Sequence, residues 1–210
     1  MIGGLVLAAG AATRFGAPKQ LAELDGMPLL EHALRTMTAT PVGRVVVVLG
    51  SAAEQIAAAV NFHGADPVVC MRWEEGQAAS LACGLAELAS CEAVVVTLGD
   101  QPRVSADAIR RVIGARTAPV GADAPRGTGG AAAVRATYGG EPGHPVLLEH
   151  DLFEALRDVS GDKGARNLLL SVPVLDVPCD DLGGGEDVDT PAELDALRAG
   201  GPVTGAPLGR

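Results

Sequence analysis

The chain has 210 residues, a formal net charge of −10, high apolar content and very few aromatic side chains. This length suits one domain with a sizeable core, which must be built mainly from Ala, Val and Leu. The negative charge argues against a nucleic-acid binder that works by bulk electrostatics.

Apolar, β-rich segments alternate with helical patterns along the chain, which predicts an α/β fold with a mostly parallel central sheet flanked by helices. The predicted strands cover residues 2–9, 44–49, 67–71, 93–98, 118–122, 131–136 and 172–177. One predicted helix opens at Met27-Pro28 and another opens with residues 161–166; the remaining helices cover 52–60, 77–88, 106–115, 152–159 and 192–198. Thr190 is the expected N-cap of the last helix. We expect one domain over residues 1–199 and a disordered tail over 200–210.

The four cysteines, Cys70, Cys83, Cys91 and Cys179, are widely spaced and include no C-x-x-C pair. This spacing favours reduced, mostly buried thiols over a structural zinc site. The N-terminal apolar run is too short to span a bilayer, and no cationic segment precedes it. We therefore expect a cytoplasmic protein with neither membrane nor nucleic acid as a partner.

The first strand runs into a small-residue loop that carries two cations, G-A-A-T-R-F-G-A-P-K over residues 10–19. Small residues let backbone N–H groups approach an anion closely, and Arg14 and Lys19 add positive charge, so the loop predicts a phosphate site. Glycine is also common at strand ends without any ligand. The spacing matches neither G-x-x-x-x-G-K-[ST] nor G-x-G-x-x-G, which disfavours P-loop NTPases and dinucleotide-binding dehydrogenases.

Asp100 follows the predicted strand 93–98, with Gly99 between them. In open parallel sheets, ligands bind beyond the carboxyl ends of the strands. A carboxylate facing a phosphate loop there suits Mg²⁺, although Asp100 alone also fits an ordinary turn. Asp189 and Asp187 are candidates for a second carboxylate, and helix capping is the alternative role of Asp189.

Three other stretches carry polar groups with two possible roles. Gln77 and Ser80 lie at a predicted helix start, which either meets a nucleotide or is an ordinary terminus. His144 is either a binding residue or a structural hydrogen-bond donor. Lys163 and Arg166 form either a compact cationic site or a solvated helix start.

Six stretches, in this order, resemble the MobA-like nucleotidyltransferases, and most closely the molybdenum cofactor cytidylyltransferases. They are L-A-A-G-A-A-T-R-F-G-A-P-K (7–19), G-Q-A-A-S-L (76–81), L-G-D-Q-P (98–102), G-H-P-V-L-L (143–148), G-D-K-G-A-R (161–166) and D-V-D-T-P-A-E-L (187–194). The first stretch also marks sugar-phosphate nucleotidyltransferases, whereas G-H-P-V-L-L and G-D-K-G-A-R together point to the cytidylyl branch.

The resemblance implies a single-domain, Rossmann-like nucleotidyltransferase fold. It implies Mg²⁺-dependent transfer of CMP from CTP to the terminal phosphate of molybdenum cofactor (molybdopterin), with release of pyrophosphate. The implied nucleotide-binding residues are Leu7, Ala8, Ala9, Gly10, Arg14, Lys19, Gln77 and Ser80. The implied metal ligands are Asp100 and Asp189, the implied acceptor-binding residues are His144, Lys163 and Arg166, and the implied catalytic residues are Arg14, Lys19 and Asp100.

Two alternatives stay open at this point. One is nucleotidyl transfer from CTP or GTP to another phosphorylated acceptor, such as a sugar phosphate. The other is a non-catalytic carrier that binds finished molybdenum cofactor and passes it to a molybdoenzyme or its chaperone. The phosphate of the acceptor is itself a nucleophile near neutral pH, so the predicted transfer requires no Ser-His-Asp or Cys-His set.

Overall fold

A computed structural model describes residues 1–116, 131–159, 161 and 164–200. The described strands are β1 (Ile2–Ala8), β2 (Glu23–Leu24), β3 (Met27–Pro28), β4 (Val45–Leu49), β5 (Asp66–Val69), β6 (Ala93–Leu98), β7 (Ala133–Tyr138), β8 (Glu141–Glu149) and β9 (Val174–Pro178). The described helices are α1 (Leu29–Thr38), α2 (Ala53–Ala59), α3 (Gln77–Glu87), α4 (Ala106–Ala115), α5 (Phe153–Arg157), α6 (Gly164–Leu170) and α7 (Pro191–Arg198).

Seven strands form the central sheet in the order β5-β4-β1-β6-β8-β7-β9, and β2 pairs with β3 in a separate ribbon. The neighbours from β5 to β6 are parallel. β8 is antiparallel to both β6 and β7, and β9 is parallel to β7. Only β8 therefore runs against the other strands of this sheet, which confirms the predicted α/β fold with a mostly parallel sheet.

The three central strands β1, β4 and β6 are buried almost throughout. Strands in the middle of a parallel sheet need apolar side chains on both faces, because helices cover both faces. Helices α1, α2 and α4 pack against one face, and α3, α5 and α6 pack against the other. None of the described helices is long and apolar enough to cross a membrane.

The sequence pattern assigns G-H-P-V-L-L (143–148) to no helix or strand, whereas the structure places these residues in β8. The turn before β8 contains Gly139 and Gly140, which have φ values of 59° and 81°. Glycine adopts this left-handed conformation without a steric penalty, so the chain reverses tightly and β8 returns antiparallel.

Several predicted boundaries shift by a few residues. The predicted strand 67–71 is β5, and Met71 is 85% exposed beyond its end. The predicted helix 152–159 is the shorter α5, preceded by a 3₁₀ turn, and the last two predicted strands are β7 and β9. The predicted strand 118–122 and the tail 201–210 lie outside the described residues.

Helix α7 begins with the predicted N-cap. The Glu193 backbone N–H donates to Thr190 Oγ1 at 3.3 Å, and the Thr190 backbone N–H donates to the Glu193 carboxylate at 2.8 Å. This reciprocal capping box satisfies two N–H groups that the helix itself leaves unpaired. The helix packs against a small cluster that includes Leu24, Leu29 and Val188.

Cys70 and Cys83 form a disulfide with a Cα–Cα distance of 5.9 Å. The expectation that all four cysteines are reduced thiols is therefore wrong for this pair. The sheet face covered by α3 brings the end of β5 beside that helix, a proximity that spacing along the chain does not reveal. Cys91 and Cys179 are free and buried, as expected.

Candidate active site

A cavity of about 460 Å³ opens beyond the carboxyl ends of β1 and β6. Its walls come from the loop after β1, the start of α3, the loop after β6 and the segment before α7. All eight residues that the resemblance assigns to nucleotide binding line this cavity, and so do Asp100 and Asp189. The fold therefore brings these distant motifs together, while their individual roles stay a prediction.

The buried side chain of Gln20, which is only 4% exposed, is hydrogen-bonded to the start of the loop after β1. Gln20 Nε2 donates to the carbonyl oxygens of Ala8 at 2.9 Å and Gly10 at 3.1 Å. The loop itself turns at Ala12 and Gly16, whose φ values are 51° and 77°. One buried amide thus joins the end of β1 to the first residue of the predicted phosphate loop.

Four charged side chains form a continuous chain of ion pairs along the cavity wall. Arg14 Nη2 lies 2.6 Å from Asp189 Oδ2, and Lys19 Nζ lies 2.7 Å from Asp189 Oδ1. Lys19 Nζ also lies 2.5 Å from Asp100 Oδ2. The order Arg14–Asp189–Lys19–Asp100 alternates in sign, so the four formal charges cancel.

These ion pairs change the protonation equilibria of the partners. Burial lowers the pKa of Lys19, but the adjacent Asp100 and Asp189 outweigh burial, so that the pKa lies above its ordinary value. Burial raises the pKa of Asp189, but Lys19 and Arg14 outweigh burial and the net pKa lies below its ordinary value. The ammonium and the carboxylate are both charged at neutral pH.

The alternative role of Asp189, capping of α7 by its side chain, is wrong. Thr190 is the capping residue, and only the backbone N–H of Asp189 contributes, donating to Glu193 at 2.8 Å. The Asp189 carboxylate is therefore directed to Arg14 and Lys19. A short capping segment can hold a helix and present a carboxylate to the cavity at the same time.

The two carboxylate oxygens of Asp100 differ in their partners. Oδ2 is paired with Lys19, whereas Oδ1 is buried without a hydrogen-bond partner among the described residues. A buried carboxylate oxygen without a partner is costly, and a cation or donor that approaches it would remove that cost. Asp100 is therefore suited to bind a cation brought into the cavity.

A third carboxylate, that of Asp187, lies near Asp100 and Asp189 but does not line the cavity. Gln101 Nε2 donates to Asp187 Oδ1 at 2.7 Å, and Gln101 is 1% exposed. Burial, helped by the negative charge of Asp100, raises the pKa of Asp187 to about 6. Among the described residues, no three His, Cys, Asp or Glu side chains are grouped so as to hold a metal ion by themselves.

The predicted acceptor-binding residues occupy a neighbouring region. His144 lies on β8, two residues before Val146, whose partner is Val96 of β6. Its Nδ1 is buried without a partner in the described part of the chain, and burial lowers the pKa of His144 to about 4. Arg166 is exposed on α6, and neither residue lines the cavity described above. Lys163 lies outside the described residues.

The backbone connects the cavity to the start of the G-D-K-G-A-R stretch. The Gly161 N–H donates to the Glu75 carbonyl oxygen at 3.2 Å, and the Ala78 N–H donates to the Gly161 carbonyl oxygen at 3.4 Å. Gly76 and Gln77, which lie between Glu75 and Ala78 in the chain, line the cavity. The two regions therefore share a boundary, although their side chains do not form one cavity among the described residues.

Sequence reasoning missed Gln20, Trp73 and Glu74. Trp73 and Glu74 line the cavity from the 3₁₀ turn before α3. Two signals in the sequence point to these residues: Gln20 is a polar residue directly after Lys19, and Trp73 is the sole tryptophan. A sole tryptophan in the cavity wall is also a natural fluorescent reporter for ligands.

Comparison with known proteins agrees with this arrangement. Residues 4–175 match the model of the MobA-like NTP transferase domain. The chain is 33% identical over 196 residues to nicotine blue oxidoreductase of Paenarthrobacter nicotinovorans, covering 91% of this chain and 93% of that protein. The crystal structure of Rv0371c from Mycobacterium tuberculosis H37Rv has a TM-score of 0.79 at 31% identity, covering 94% of this chain and 97% of that one. A manganese complex of Rv0371c has a TM-score of 0.69 at 29% identity, covering 85% and 88% of the two chains. The chain belongs to the MobA-like NTP transferase family.

Proposed function

We propose that this protein transfers CMP from CTP to the terminal phosphate of molybdenum cofactor and releases pyrophosphate. One observation supports nucleotidyl transfer above all: the Gly10–Lys19 loop and two carboxylates line a single cavity of about 460 Å³. This volume lies within the range of about 300–1,000 Å³ that is usual for small-molecule sites. The cavity therefore holds both the side chains proposed to bind phosphates, Arg14 and Lys19, and the carboxylates proposed to bind a metal.

The proposal assigns the triphosphate to the Arg14 and Lys19 end of the cavity. Both side chains are cationic, and the loop that carries them offers backbone N–H groups at close range because its side chains are small. Gln77 and Ser80, at the start of α3, face the same cavity and are assigned to the nucleoside part. In a chain with a net charge of −10, Arg14 and Lys19 supply two cations for a polyanion once phosphate oxygens replace their carboxylate partners.

A divalent cation, with Mg²⁺ as the proposed ion, fits Asp100 and Asp189. Mg²⁺ usually takes one or two carboxylates together with substrate phosphates rather than a complete protein cage. The unpartnered Oδ1 of Asp100 fits that requirement. When bound, the ion would neutralise phosphate charge and polarise the α-phosphate. The manganese complex of Rv0371c shows that this relative accepts a divalent metal.

The chemistry follows from alignment and charge. The acceptor phosphate monoester attacks the α-phosphorus of CTP, a new P–O bond forms, and the bond to the pyrophosphate leaving group breaks. Arg14 and Lys19 hold the β- and γ-phosphates and offset the charge that accumulates on pyrophosphate. No proton has to be removed from the acceptor, so positioning is the main task of the protein.

Molybdenum cofactor as acceptor and CTP as donor are supported by the paired motifs G-H-P-V-L-L and G-D-K-G-A-R. His144, Lys163 and Arg166 are the proposed acceptor-binding residues. His144 is kept neutral by burial, which suits a hydrogen-bonding role toward a polar ring rather than a charge on phosphate. We place the reaction in the cytoplasm, with a molybdoenzyme or its chaperone as the receiver of the product.

The name of one relative motivates a second candidate. Nicotine blue oxidoreductase is 33% identical to this chain, so an oxidoreductase activity on nicotine blue is tested beside nucleotidyl transfer. The glycine spacing of the first loop does not match the dinucleotide-binding fingerprint. NADH and NADPH oxidation in the presence of nicotine blue measures this activity directly.

The deciding experiment measures pyrophosphate release with Mg²⁺ and molybdenum cofactor, offering CTP, GTP, ATP and UTP in parallel. We expect release with CTP, and loss of about 100-fold or more in Asp100→Ala and Lys19→Ala proteins, since each removes several kcal/mol of charge stabilisation. Asp181→Asn is the matched control, because it breaks only an exposed ion pair with Arg111.

Each other result has a defined meaning. Release with GTP, or with a different phosphorylated acceptor, would move the proposal to the corresponding alternative. Cofactor binding without pyrophosphate release from any nucleotide would favour the carrier. Full activity in both the Asp100 and Lys19 variants would contradict the assigned roles.

A further inference from the structure

The Lys19 ammonium lies between the two carboxylates proposed as metal ligands. Its Nζ is 2.5 Å from Asp100 Oδ2 and 2.7 Å from Asp189 Oδ1. The Lys19 side chain is 12% exposed, so water screens these pairs weakly. A divalent cation held by the same oxygens would compete with the Lys19 ammonium for them.

Two cations cannot occupy this position together. A divalent ion that binds these same two oxygens without nucleotide must displace Lys19 from both carboxylates and leave a buried ammonium without a partner, which is costly. A triphosphate that enters alone must take Arg14 and Lys19 away from Asp189, leaving the Asp189 carboxylate beside the new negative charge. Either ligand alone must therefore break ion pairs without replacing them, which makes its binding less favourable.

When the divalent ion and the triphosphate bind together, neither the Lys19 ammonium nor the Asp189 carboxylate is left without a partner. Phosphate oxygens replace the carboxylates as partners of Arg14 and Lys19, and the divalent ion replaces the ammonium between Asp100 and Asp189. The unpartnered Asp100 Oδ1 also gains a cation. The dication offsets the two carboxylates that lose Lys19, and Arg14 and Lys19 offset part of the triphosphate charge.

On the basis of the nucleotidyl-transfer function proposed above, we infer that Lys19 is a placeholder for the metal ion in the empty site and that divalent cation and nucleoside triphosphate bind with positive coupling. Lys19 thus has two successive partners: the carboxylates when the site is empty and the phosphates when it is filled. Because coupling between two ligands is reciprocal, the triphosphate must raise metal affinity by the factor by which metal raises triphosphate affinity.

The first test measures Mn²⁺ binding to the full chain without nucleotide, by the loss of the free-ion electron paramagnetic resonance signal. Lys19→Gln opens the metal position, so we expect it to bind Mn²⁺ more tightly than wild type by about 5–150-fold, the usual range of such couplings. Arg14→Gln is the matched control: it also removes a positive charge beside Asp189, but not the group between the carboxylates. Its gain should be clearly smaller.

The second test examines the anion side in EDTA, using Trp73 fluorescence to follow CTP binding. Asp189→Asn releases Arg14 and Lys19 from their shared carboxylate, so metal-free CTP should bind at least about fivefold more tightly, while Mn²⁺ should bind less tightly than to wild type. Asp181→Asn, at the exposed Arg111 pair, should leave both affinities unchanged. Circular dichroism checks that each variant is folded.

The placeholder role is overturned if Lys19→Gln binds Mn²⁺ no more tightly than wild type, or if Arg14→Gln gains as much. It is equally overturned if metal-free CTP binds Asp189→Asn no better than wild type. The Mn²⁺ measurement involves neither nucleotide nor acceptor, so failure of CMP transfer and failure of the placeholder role are separate results.

Discussion

Gln20 is hydrogen-bonded to Gly10, the first residue of the phosphate loop: its Nε2 donates to the Gly10 carbonyl oxygen at 3.1 Å. The same nitrogen donates to the Ala8 carbonyl oxygen at 2.9 Å, so one side chain ties the strand end and the loop together. Gln20 also lines the cavity, but its amide nitrogen is engaged by these two carbonyl oxygens, so we expect Gln20 to position the loop.

Gln20→Leu is therefore expected to leave two carbonyl oxygens without their donor and to cost about 1–3 kcal/mol of stability. The loosened loop should lower kcat/KM for CTP by about tenfold, equivalent to about 1.4 kcal/mol, mainly through a higher KM. Thr38→Val is the control, since it removes a hydrogen bond to the Leu34 carbonyl oxygen in α1. That variant should lose stability but keep its KM; an unchanged KM in Gln20→Leu would contradict the positioning role.

Gly84 lies where α3 presses on β1. A Cβ at this position would stand 2.4 Å from Leu5 Cδ1 and 3.0 Å from Val48 Cγ2. We expect Gly84→Ala to destabilise the protein by about 1–3 kcal/mol in urea unfolding, because overpacking exceeds the gain in helix propensity. In α4, a Cβ at Gly114 would meet no described atom within 4 Å. Gly114→Ala should instead stabilise by about 0.5–1 kcal/mol, and equal effects at the two sites would refute the packing argument.

His144 links stability to pH. Its pKa falls from an ordinary value of 6.5 to about 4 in the folded protein because burial disfavours the imidazolium. Between these values the unfolded chain binds the extra proton, so the contribution of His144 to stability is full above pH 6.5 and is lost as pH falls toward 4. The difference between these two pKa values corresponds to at most about 3–4 kcal/mol of stability.

The measurement compares urea unfolding of wild type and His144→Gln from pH 4 to pH 8. The difference between the two proteins isolates His144 from the carboxylates that titrate over the same range. We expect the wild type to lose more stability than the variant as pH falls. A difference that stays constant with pH would show that His144 is accessible to protons in the folded state.

The Cys70–Cys83 disulfide closes a short loop that carries Trp73 and Glu74 into the cavity wall. Closing a loop of this length stabilises a protein by about 2–4 kcal/mol, so reductant should lower the urea midpoint of the wild type. It should leave the midpoint of a Cys83→Ser variant unchanged. Alkylation of the unfolded, unreduced chain should label Cys91 and Cys179 alone; labelling of all four cysteines would exclude the disulfide.

Much of the architecture was predictable from sequence because it depends on local patterns. The apolar runs of β1, β4 and β6 mark strands buried on both faces, and Thr190 with Glu193 marks the start of α7. The loop of small residues and two cations directly after β1 was also visible in the sequence, and its place in the cavity wall agrees with that pattern, while phosphate binding stays a prediction. The antiparallel direction of β8 was not, because its residues fit several environments and only pairing with β6 and β7 selects one.

By itself, the sequence determined which residue types stand at the ends of the central strands, and thus that cations and carboxylates share one edge of the sheet. Only the tertiary structure decided how they pair. Asp189 reaches Lys19 from 170 residues away, and Asp100 takes the other side of the same ammonium. Side-chain pairing depends on distances of a few ångströms between segments remote in the chain, and a one-dimensional pattern does not contain those distances.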